Sequence, residues 1–465
     1  MMKLTLAEIS KALEGRLEGA TSVGTTEVSE YSIDTRTIEP GALFFALVGP
    51  NHDAHRFVPK AFESGAAAAV VHAVPATPAA GPLVHVKDTT RALQDLSTYV
   101  RRRINPKVVA ITGSAGKTTT RAMTQQVVST LGPTLGSPGN LNNLYGLPLA
   151  LLHLQGEHRY AVLEAAMSRP GELARLAEIC DPDIGTLINV GPAHIEFFGT
   201  LEKIAATKEE LFLGMRPGTV AVMNADDARV MAIAGRFARR GGSIVSFGLE
   251  READVRGEGV EFHPQGLRVK VAYMGKSAEL ELKFLGAHFL SDALAALATG
   301  IALGGTLVQL CGALSEVEPL DHRGRLLELP GDVRLLDDCY NSNPVALEEA
   351  LRALGQLAPH GRRLVVAGDM LELGALESEA HRSAGERIAR SGIDVFFGVG
   401  KHMRTAVEAA RAVGHKSAHH FADSGEAAVA ITNEIKPRDT ILVKGSRGLR
   451  LEKVIEALMR TRVRG

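Results

Sequence analysis

A short glycine-containing turn between an apolar run and a helical pattern limits the fold of this chain more than any other feature. Residues 107–123, KVVAITGSAGKTTTRAM, place Gly113 and Gly116 ahead of Lys117 and Thr118. Backbone amides in such a turn curve around a phosphate at a helix N-terminus, where the helix dipole also favours an anion. Lys117 would reach the β- and γ-phosphates, and the Thr118 hydroxyl would bind Mg²⁺. We therefore predict a nucleotide site, a P-loop, on a strand–loop–helix unit.

The spacing of this turn is G-x-x-G-K-[ST], which is shorter than the full P-loop pattern. Ile111 stands where the full pattern has its first glycine. A glycine turn that only joins a strand to a helix is the alternative. The apolar run before the turn, and the lysine and threonine that follow it, favour the nucleotide site.

The alternation of apolar runs with helical patterns predicts an α/β protein of three domains. In the central part, YAVLEAA, IGTLINV and TVAVMNADD are each followed by a helical pattern, which indicates a parallel sheet covered on both faces. Alternating stretches between 257 and 285 predict an inserted β-hairpin. After a linker, four more apolar runs predict a doubly wound, Rossmann-like unit. We predict a mixed α/β N-terminal domain at 1–105, a central P-loop domain with a parallel sheet at 106–321, and a C-terminal Rossmann-like domain at 322–465.

The composition of the chain argues against several classes of protein. With 465 residues, 45% of them apolar, and a formal net charge of −1, the chain lacks the overall basic charge of a nucleic-acid-binding protein. Prolines interrupt the apolar stretch 64–81 before it reaches the ~20 residues of a membrane span. Cys180, Cys311 and Cys339 show no metal-ligand spacing, which suits a reducing compartment. We expect a cytoplasmic monomer that does not insert into membranes.

Three polar residues outside the P-loop are candidates for the chemistry. Glu164 ends the next apolar run, at the edge where doubly wound sheets bind ligands, although a helix cap or an ion pair would also explain it. His194 follows another strand in a Gly/Pro loop and could bind a metal, but a lone histidine is more often structural. Lys208 lies on an amphipathic helix and by itself is indistinguishable from a surface lysine.

Taken together, these segments resemble one family. TGSAGKTT, GNLNNLYGLP, LEAAMSRPGEL, NVGPAHIEFFG and IAATKEEL stand in the order and spacing seen in the ATP-dependent Mur ligases of peptidoglycan synthesis. SIDTRTIEPGALFFALVG, DDCYNSNP, GDMLELG and VKGSRG resemble the branch of this family that adds D-alanyl-D-alanine. The resemblance extends over nearly the whole chain.

The resemblance implies an ATP-dependent amide ligase. In this family the terminal carboxylate of a UDP-N-acetylmuramoyl tripeptide attacks the γ-phosphate of ATP, and the amine of D-alanyl-D-alanine displaces phosphate from the acyl phosphate. Both steps bring anions together, so positive charge is needed where negative charge accumulates. The resemblance also implies two Mg²⁺ ions. It names as catalytic residues Lys117, Glu164, His194 and Lys208, and as metal ligands Thr118, Glu164, His194 and a carbamylated Lys208.

The resemblance also assigns binding roles residue by residue. ATP would be bound by Gly113, Ser114, Ala115, Gly116, Lys117, Thr118, Thr119, Asn224, His288, Arg325 and Asp338. The peptide substrates would be bound by Asp34, Thr35, Arg36, Asn140, Asn143, Asn341, Asn343, Lys444, Ser446 and Arg447. Within this second set, residues 34–36 correspond to the Asp-Ser-Arg that contacts the UDP-sugar, and a simple turn is the alternative.

The chain departs from the family at residues 288–292, HFLSD, where His-Asn-x-x-Asn is usual. An ionised Asp292 only accepts hydrogen bonds, whereas asparagine also donates, so the contacts to adenine stay open.

Three alternative functions stay open as well. One is a related ligase that adds diaminopimelate or lysine, or adds glutamate to folate. The others are a P-loop phosphotransferase or ATPase that forms no amide, and a nucleotide-binding module without catalysis.

Overall fold

The first part of the chain contains a small mixed sheet. The computed structural model describes residues 2–19, 21–49, 52–74, 80–193, 195–263, 266–357 and 361–461. Within these residues the five-stranded sheet has the order β2-β9-β8-β5-β4, and β1 pairs with β3 and β6 with β7. The strands are β1 Leu4–Thr5, β2 Arg16–Glu18, β3 Glu27–Val28, β4 Glu30–Ser32, β5 Ala42–Phe45, β6 Val48–Gly49, β7 His52–Asp53, β8 Ala68–Val71 and β9 Leu83–His85, and the helices are α1 Leu6–Ala12, α2 Val58–Glu63 and α3 Thr89–Ile104.

The central part is built on a nine-stranded sheet, counted over the described residues. Its order is β11-β12-β10-β13-β14-β15-β16-β17-β18, parallel as far as β16 and antiparallel beyond. The strands are β10 Lys107–Thr112, β11 Thr134–Gly136, β12 Tyr160–Glu164, β13 Ile184–Leu187, β14 Val220–Asn224, β15 Ser243–Gly248, β16 Val255–His263, β17 Gly266–Tyr273 and β18 Lys276–Leu282. The helices are α4 Lys117–Ser129, α5 Gly146–Leu152, α6 Glu172–Cys180, α7 Ile195–Phe198, α8 Leu201–Leu213, α9 Ala228–Arg239, α10 His288–Ala302 and α11 Leu307–Ser315.

The last part carries a six-stranded sheet over the same described ranges. Its order is β19-β20-β24-β21-β22-β23, with β19 antiparallel to β20 and the others parallel. The strands are β19 Arg325–Leu329, β20 Val333–Asp338, β21 Arg363–Gly368, β22 Val395–Val399, β23 Ala418–Phe421 and β24 Thr440–Lys444, and the helices are α12 Pro344–Gln356, α13 Glu377–Arg390, α14 Met403–Ala412, α15 Ser424–Glu434 and α16 Glu452–Arg460.

The apolar runs of the sequence become strands that are buried on both faces. In β10 the five residues after Lys107 are all buried, and helices cover both sides of the sheet. The strands of a parallel sheet that is covered on both faces need unbroken rather than alternating apolar runs. The sequences of these strands show such unbroken runs. Strands β17 and β18, each exposed on one side, alternate instead, because their residues face the core and the solvent in turn.

Strand order determines where a ligand can bind. β10 lies between β12 on one side and β13 on the other. The connection that follows β10 leads to β11 and β12 on one side, and the connection that follows β12 crosses to β13 on the other. Such a switch point opens a crevice at the carboxyl ends of parallel strands. The α/β fold class and the hairpin of β17 and β18 are confirmed. The predicted domain boundaries fall between α3 and β10 and between α11 and β19, and they stay predictions.

Candidate active site

The predicted P-loop lies at the carboxyl end of β10 and opens α4. Gly116 is the N-cap of α4, with φ of 82°. The loop is held by residues that follow β13. Asn189 Oδ1 accepts hydrogen bonds from the amides of Ser114 at 2.9 Å and Ala115 at 3.0 Å, and the Ser114 hydroxyl donates to the Gly191 carbonyl at 3.0 Å. The loop therefore keeps its curved shape in the free protein.

Glycine is required at position 116 for a second reason besides its positive φ. A Cβ there would lie 2.2 Å from the Asp292 carboxylate of α10. The Thr120 hydroxyl donates to the same carboxylate oxygen at 2.9 Å. Burial raises the pKa of Asp292 to about 7, against the hydrogen bond from Thr120 and the charge of Arg323, which lower it. Asp292 stands where the resembled family usually has asparagine, so a carboxyl group with a raised pKa lies against the P-loop.

We expect Asp292→Asn to stabilise the fold at high pH. Because the folded protein binds the Asp292 proton more tightly than the unfolded chain, the carboxyl stabilises the fold below pH ~4, and this contribution is lost as the pH rises towards ~7. Asparagine does not titrate. The stability difference in favour of the variant should grow by about 2 kcal/mol between pH 5.5 and 8, as measured by chemical denaturation at both values. A difference that does not change with pH would show that Asp292 is ionised throughout.

A lysine, a hydroxyl and a carboxylate meet at the mouth of the loop. Lys117 Nζ donates to the Gly113 carbonyl at 2.9 Å. Removal of its amine from water lowers the Lys117 pKa, an effect that Glu164 opposes and Arg323 reinforces. The Thr118 hydroxyl donates to Glu164 Oε2 at 2.9 Å. The structure therefore brings together three of the residues that the sequence singled out.

Two residues that sequence reasoning missed complete this group. Asn142 Nδ2 donates to Glu164 Oε1 at 2.9 Å, and Arg323 donates to the Thr118 hydroxyl at 3.2 Å. The Arg323 guanidinium also lies 3.9 Å from the ring centroid of Tyr340. GNLNNLYG contains three asparagines and the linker HRGR two arginines, and nothing in the sequence tells which member of each set turns inward.

The predicted residue Arg325 lies elsewhere. It begins β19, is exposed, and pairs with Asp321 at 2.7 Å. Gly324, with φ of 72°, packs against the Phe289 ring, where a Cβ would be 2.6 Å from the nearest ring atom. The turn at this glycine sends the two flanking arginines in different directions. In the described structure Arg323, and not Arg325, is the arginine of the linker that reaches the cavity.

A cavity of about 470 Å³ joins the P-loop to the C-terminal sheet. Its lining includes these predicted residues: Ser114, Ala115, Gly116, Lys117, Thr118, Thr119, Asn143, Glu164, His288, Asp338, Asn341, Asn343 and Lys444. Parallel strands of two sheets thus end at one cleft, β10 and β12 from one side and β20 and β24 from the other. A nucleotide held on the P-loop would face polar side chains of the C-terminal part.

The C-terminal wall of the cleft contains a buried ion pair. Lys444, at the end of β24, donates to Asp338 at 2.5 Å and to the Asn341 carbonyl at 3.2 Å. Asn343 caps α12 by accepting from the Ala346 amide. The pair fixes the carboxyl ends of two neighbouring strands, and therefore the loop that carries the two asparagines.

His288 is the first residue of α10 and lines the cavity. Burial lowers its pKa to about 4, so the imidazole is neutral at physiological pH. Its buried Nδ1 has no protein hydrogen-bond partner. A neutral ring with one unpaired nitrogen inside the cleft is suited to a polar group of a ligand.

Several predicted residues lie outside the lining of this cavity, as far as the structure describes it. Asn224 is buried at the end of β14 and donates to the Ile188 carbonyl, and Ser446 accepts from the Leu371 amide. Asn140 is exposed, Arg447 pairs with Glu452, and Gly113 contributes its carbonyl to Lys117. Asp34, Thr35 and Arg36 belong to the first sheet region. His194 lies outside the described residues.

The structure differs from the sequence-based expectation at Lys208, which the sequence alone could not distinguish from a surface lysine. Its side chain on α8 is buried, with 3% of the residue exposed. Burial lowers its pKa well below the usual value, and the positive charge of Lys117 lowers it further. A lowered pKa increases the fraction of lysine present as the neutral amine, which is the nucleophilic form that reacts with carbon dioxide.

The residues around Glu164 fit a hard divalent cation. Mg²⁺ prefers oxygen ligands, and the Thr118 hydroxyl and the Glu164 carboxylate already lie side by side next to the phosphate site. Asn142 orients the second carboxylate oxygen, as supporting residues around metal sites commonly do.

No helix in the described part of the chain is both long enough and apolar enough to cross a bilayer.

Comparison with known proteins gives a consistent result over the whole length. Residues 27–110 match the model "Mur ligase family, catalytic domain", residues 111–300 "Mur ligase middle domain", and residues 322–447 "Mur ligase, glutamate ligase domain". The UDP-N-acetylmuramoyl-tripeptide–D-alanyl-D-alanine ligase of Escherichia coli K12 is 34% identical over 98% of this chain and 99% of its own length.

Two solved structures are also similar. MurF from Acinetobacter baumannii superposes with a TM-score of 0.90, at 31% identity, over 99% of this chain and all of its own. The MurF ligase of Thermotoga maritima, solved in complex with ADP, gives a TM-score of 0.80 at 27% identity, over 93% of this chain and 97% of its own. The similarity therefore covers each of the three sheets.

Proposed function

The chain belongs to the Mur ligase family, and from that premise we infer that it joins D-alanyl-D-alanine to a UDP-N-acetylmuramoyl tripeptide with ATP as the energy source. Full-length relatives with this activity in their names support the inference. The structural observation that carries it is that P-loop residues and C-terminal residues line the same cavity. An enzyme that only hydrolysed ATP would need the first wall of that cavity and not the second.

ATP would bind with its phosphates at the P-loop. The relative solved with ADP supports nucleotide use, and the loop shape that Asn189 holds at residues 114 and 115, the N-terminus of α4 and the nearby Lys117 support this location. Lys117 would leave the Gly113 carbonyl for the phosphates, because a phosphate oxygen makes a charge-assisted hydrogen bond that is stronger than one to a neutral carbonyl. Arg323 would add a second positive charge from the other side of the cleft.

The first chemical step is attack of the tripeptide carboxylate on the γ-phosphate. An O–P bond forms, the bond to ADP breaks, and an acyl phosphate results. Two anions have to approach each other, and Lys117 and Arg323, which both line the cleft, would neutralise that charge. Mg²⁺, held by Thr118, Glu164, His194 and a carbamylated Lys208, would supply further positive charge at the same place.

In the second step the dipeptide amine attacks the acyl carbon. A C–N bond forms, phosphate leaves, and the amine loses a proton. The amine has to arrive on the C-terminal side of the acyl phosphate, where Asn341, Asn343 and the Lys444–Asp338 pair line the cavity. Holding the two reactants in contact could contribute up to ~7–11 kcal/mol towards lowering the barrier.

The UDP-sugar would bind at residues 34–36 of the first sheet region. Arg36 is exposed and makes a salt bridge to Asp34, with 2.6 Å between its Nη2 and Oδ2. Hydrogen bonds from Arg36 hold the pKa of Asp34 at about 2. The guanidinium is thus held in a fixed orientation while its outer face stays open to an anion such as a diphosphate.

We predict that Arg36→Ala weakens binding of the UDP-tripeptide by about 1.5–3 kcal/mol, the range for hydrogen bonds to charged groups. Calorimetry of the purified variant measures this directly. Arg16→Ala is the matched control, because Arg16 is another exposed arginine of the same region that pairs with a nearby carboxylate, Glu18. Equal affinities for the parent and Arg36→Ala would move the UDP site elsewhere.

The function itself is tested by ADP release with ATP and each UDP-tripeptide in turn, with and without D-alanyl-D-alanine. We expect sustained ADP release, over many turnovers of each enzyme molecule, to require both the tripeptide and the dipeptide. Sustained release without the dipeptide would favour an ATPase or phosphotransferase, and sustained release with diaminopimelate, lysine or glutamate in place of the dipeptide would favour a related ligase. We also propose that the enzyme is cytoplasmic and monomeric.

A further inference from the structure

Three side chains with metal-binding atoms converge behind the C-terminal wall of the cleft. His322 lies in the linker before β19, Asp337 in β20, and Cys339 immediately after that strand. His322 Nδ1 is 2.9 Å from Asp337 Oδ2 and 3.5 Å from Cys339 Sγ. One ligand atom from each of the three lies within 4.8 Å of the others. The reaction proposed above uses none of them.

The backbone holds this arrangement in place. Residues two apart on a strand point to the same side, so Asp337 and Cys339 project together. His322 has a positive φ of 64°, which is uncommon for histidine, and its carbonyl accepts a hydrogen bond from the Tyr340 amide at 3.1 Å. Asp337 and Cys339 are buried, and the His322 side chain is 29% exposed. The cluster is therefore rigid and open to solvent on the histidine side.

The distance between the nitrogen of His322 and the sulfur of Cys339 matches the distance expected for two ligands of a tetrahedral metal ion. With metal–nitrogen bonds of about 2.0–2.1 Å and metal–sulfur bonds of about 2.3 Å, the nitrogen and sulfur lie about 3.5 Å apart at tetrahedral angles. The observed separation of Nδ1 and Sγ is 3.5 Å. Nitrogen and oxygen ligands lie about 3.3 Å apart in the same geometry, so Nδ1 and Oδ2 would need to separate by about 0.4 Å. The His322 side chain, which is 29% exposed, is the member of the cluster that would make this movement.

The charges around the cluster favour a cation. Burial raises the pKa of the Cys339 thiol, and the negative charges of Asp337, Glu452 and Asp338 raise it further. The nearby Lys444 is already paired with Asp338. A dication would relieve this concentration of negative charge, and a site with one thiolate, one imidazole and one carboxylate suits Zn²⁺ rather than Mg²⁺.

We propose that His322, Asp337 and Cys339 form a binding site for a thiophilic divalent metal such as Zn²⁺, separate from the Mg²⁺ site of the ligase reaction. The metal replaces the thiol proton of Cys339, and the imidazole proton resides on Nε2, so that one proton is released for each ion bound. Water completes the tetrahedron on the exposed side. Binding connects the linker to the end of β20, next to Asp338 and Tyr340 of the cavity lining.

Cobalt(II) is the probe, because a cobalt–thiolate bond gives a characteristic charge-transfer absorption. We expect the chelator-treated full-length protein to bind one equivalent of Co²⁺ with this absorption, and Zn²⁺ to displace it. Cys339→Ser should abolish the absorption, and His322→Gln should weaken Co²⁺ binding by at least about tenfold. Cys311→Ser, which alters another buried cysteine on α11, should leave the absorption unchanged.

The same titration with Zn²⁺ in buffers of different ionisation enthalpy counts the protons released. The expected value is about one proton for each ion. Two results would overturn the site: a parent protein that gives no thiolate absorption, or an absorption that survives in Cys339→Ser. ADP binding by each variant checks that it is folded, and His322→Gln changes a partly exposed side chain of the linker.

Discussion

Lys117→Ala is expected to lower kcat/KM for ligation by about 10³-fold or more, the scale seen when a charge that stabilises a phosphoryl-transfer transition state is removed. The lysine is the only P-loop side chain with a positive charge, and it already lies within the loop at 2.9 Å from the Gly113 carbonyl. Without it, the backbone amides and Arg323 would face the β- and γ-phosphates alone. Steady-state ADP release under saturating peptide substrates measures the loss.

The fold should survive this change, because among the described residues the Lys117 amine hydrogen-bonds to the neutral Gly113 carbonyl and forms no ion pair. An unfolding transition at the parent temperature checks this point. Lys107→Ala is the matched control, since Lys107 begins β10, the strand that leads into the P-loop, but is exposed and pairs with Asp183. Activity of Lys117→Ala within tenfold of the parent would refute the role of the lysine.

Lys208→Ala is expected to reduce activity nearly to background, and small carboxylic acids should restore part of it. If Lys208 carries carbon dioxide as a carbamate, its end is anionic and supports the metal beside Glu164. A free ammonium at ~4 Å from the same metal would instead repel it by about 4 kcal/mol for each unit of metal charge at an effective dielectric of ~20. The burial of Lys208 and its lowered pKa favour the neutral amine from which a carbamate forms.

The experiment compares Lys208→Ala with and without formate or acetate and titrates bicarbonate against the parent. Lys208→Met keeps the volume of the side chain and separates packing from charge. Lys203→Ala, on the exposed face of the same helix, is the control for added acid. Full activity in Lys208→Met would reduce Lys208 to a packing residue, and an inactive variant that no acid restores would argue against the carbamate.

The fold could be predicted from the sequence because its signals are local. The apolar runs that became β10, β12, β13 and β14 are unbroken, and each is followed by a helical pattern. The hairpin of β17 and β18 shows strict alternation, and the P-loop spacing is contained within six residues, 113–118. These signals depend only on residues that are neighbours along the chain, so they can be recognised without knowledge of the tertiary structure.

The site was only partly predictable, because several of its contacts join distant residues. Asn189 holds the P-loop from 75 positions away, and Arg323 reaches Thr118 across 205. Lys208 lies on a helix whose charged sequence suggests solvent, yet packing against the sheet buries it. The choice of Asn142 over its neighbouring asparagines depends on the turn of one loop against β12. None of these orientations is encoded in a residue's immediate neighbours.

The central claim, ligation through an acyl phosphate, is tested most directly by the transfer of oxygen. A UDP-tripeptide with both oxygens of its terminal carboxylate labelled with ¹⁸O is incubated with the enzyme, ATP and D-alanyl-D-alanine, and the released phosphate is examined by mass spectrometry. Attack of the carboxylate on ATP predicts one ¹⁸O in each phosphate and one in the new amide. Unlabelled phosphate, formed together with the amide, would contradict the mechanism.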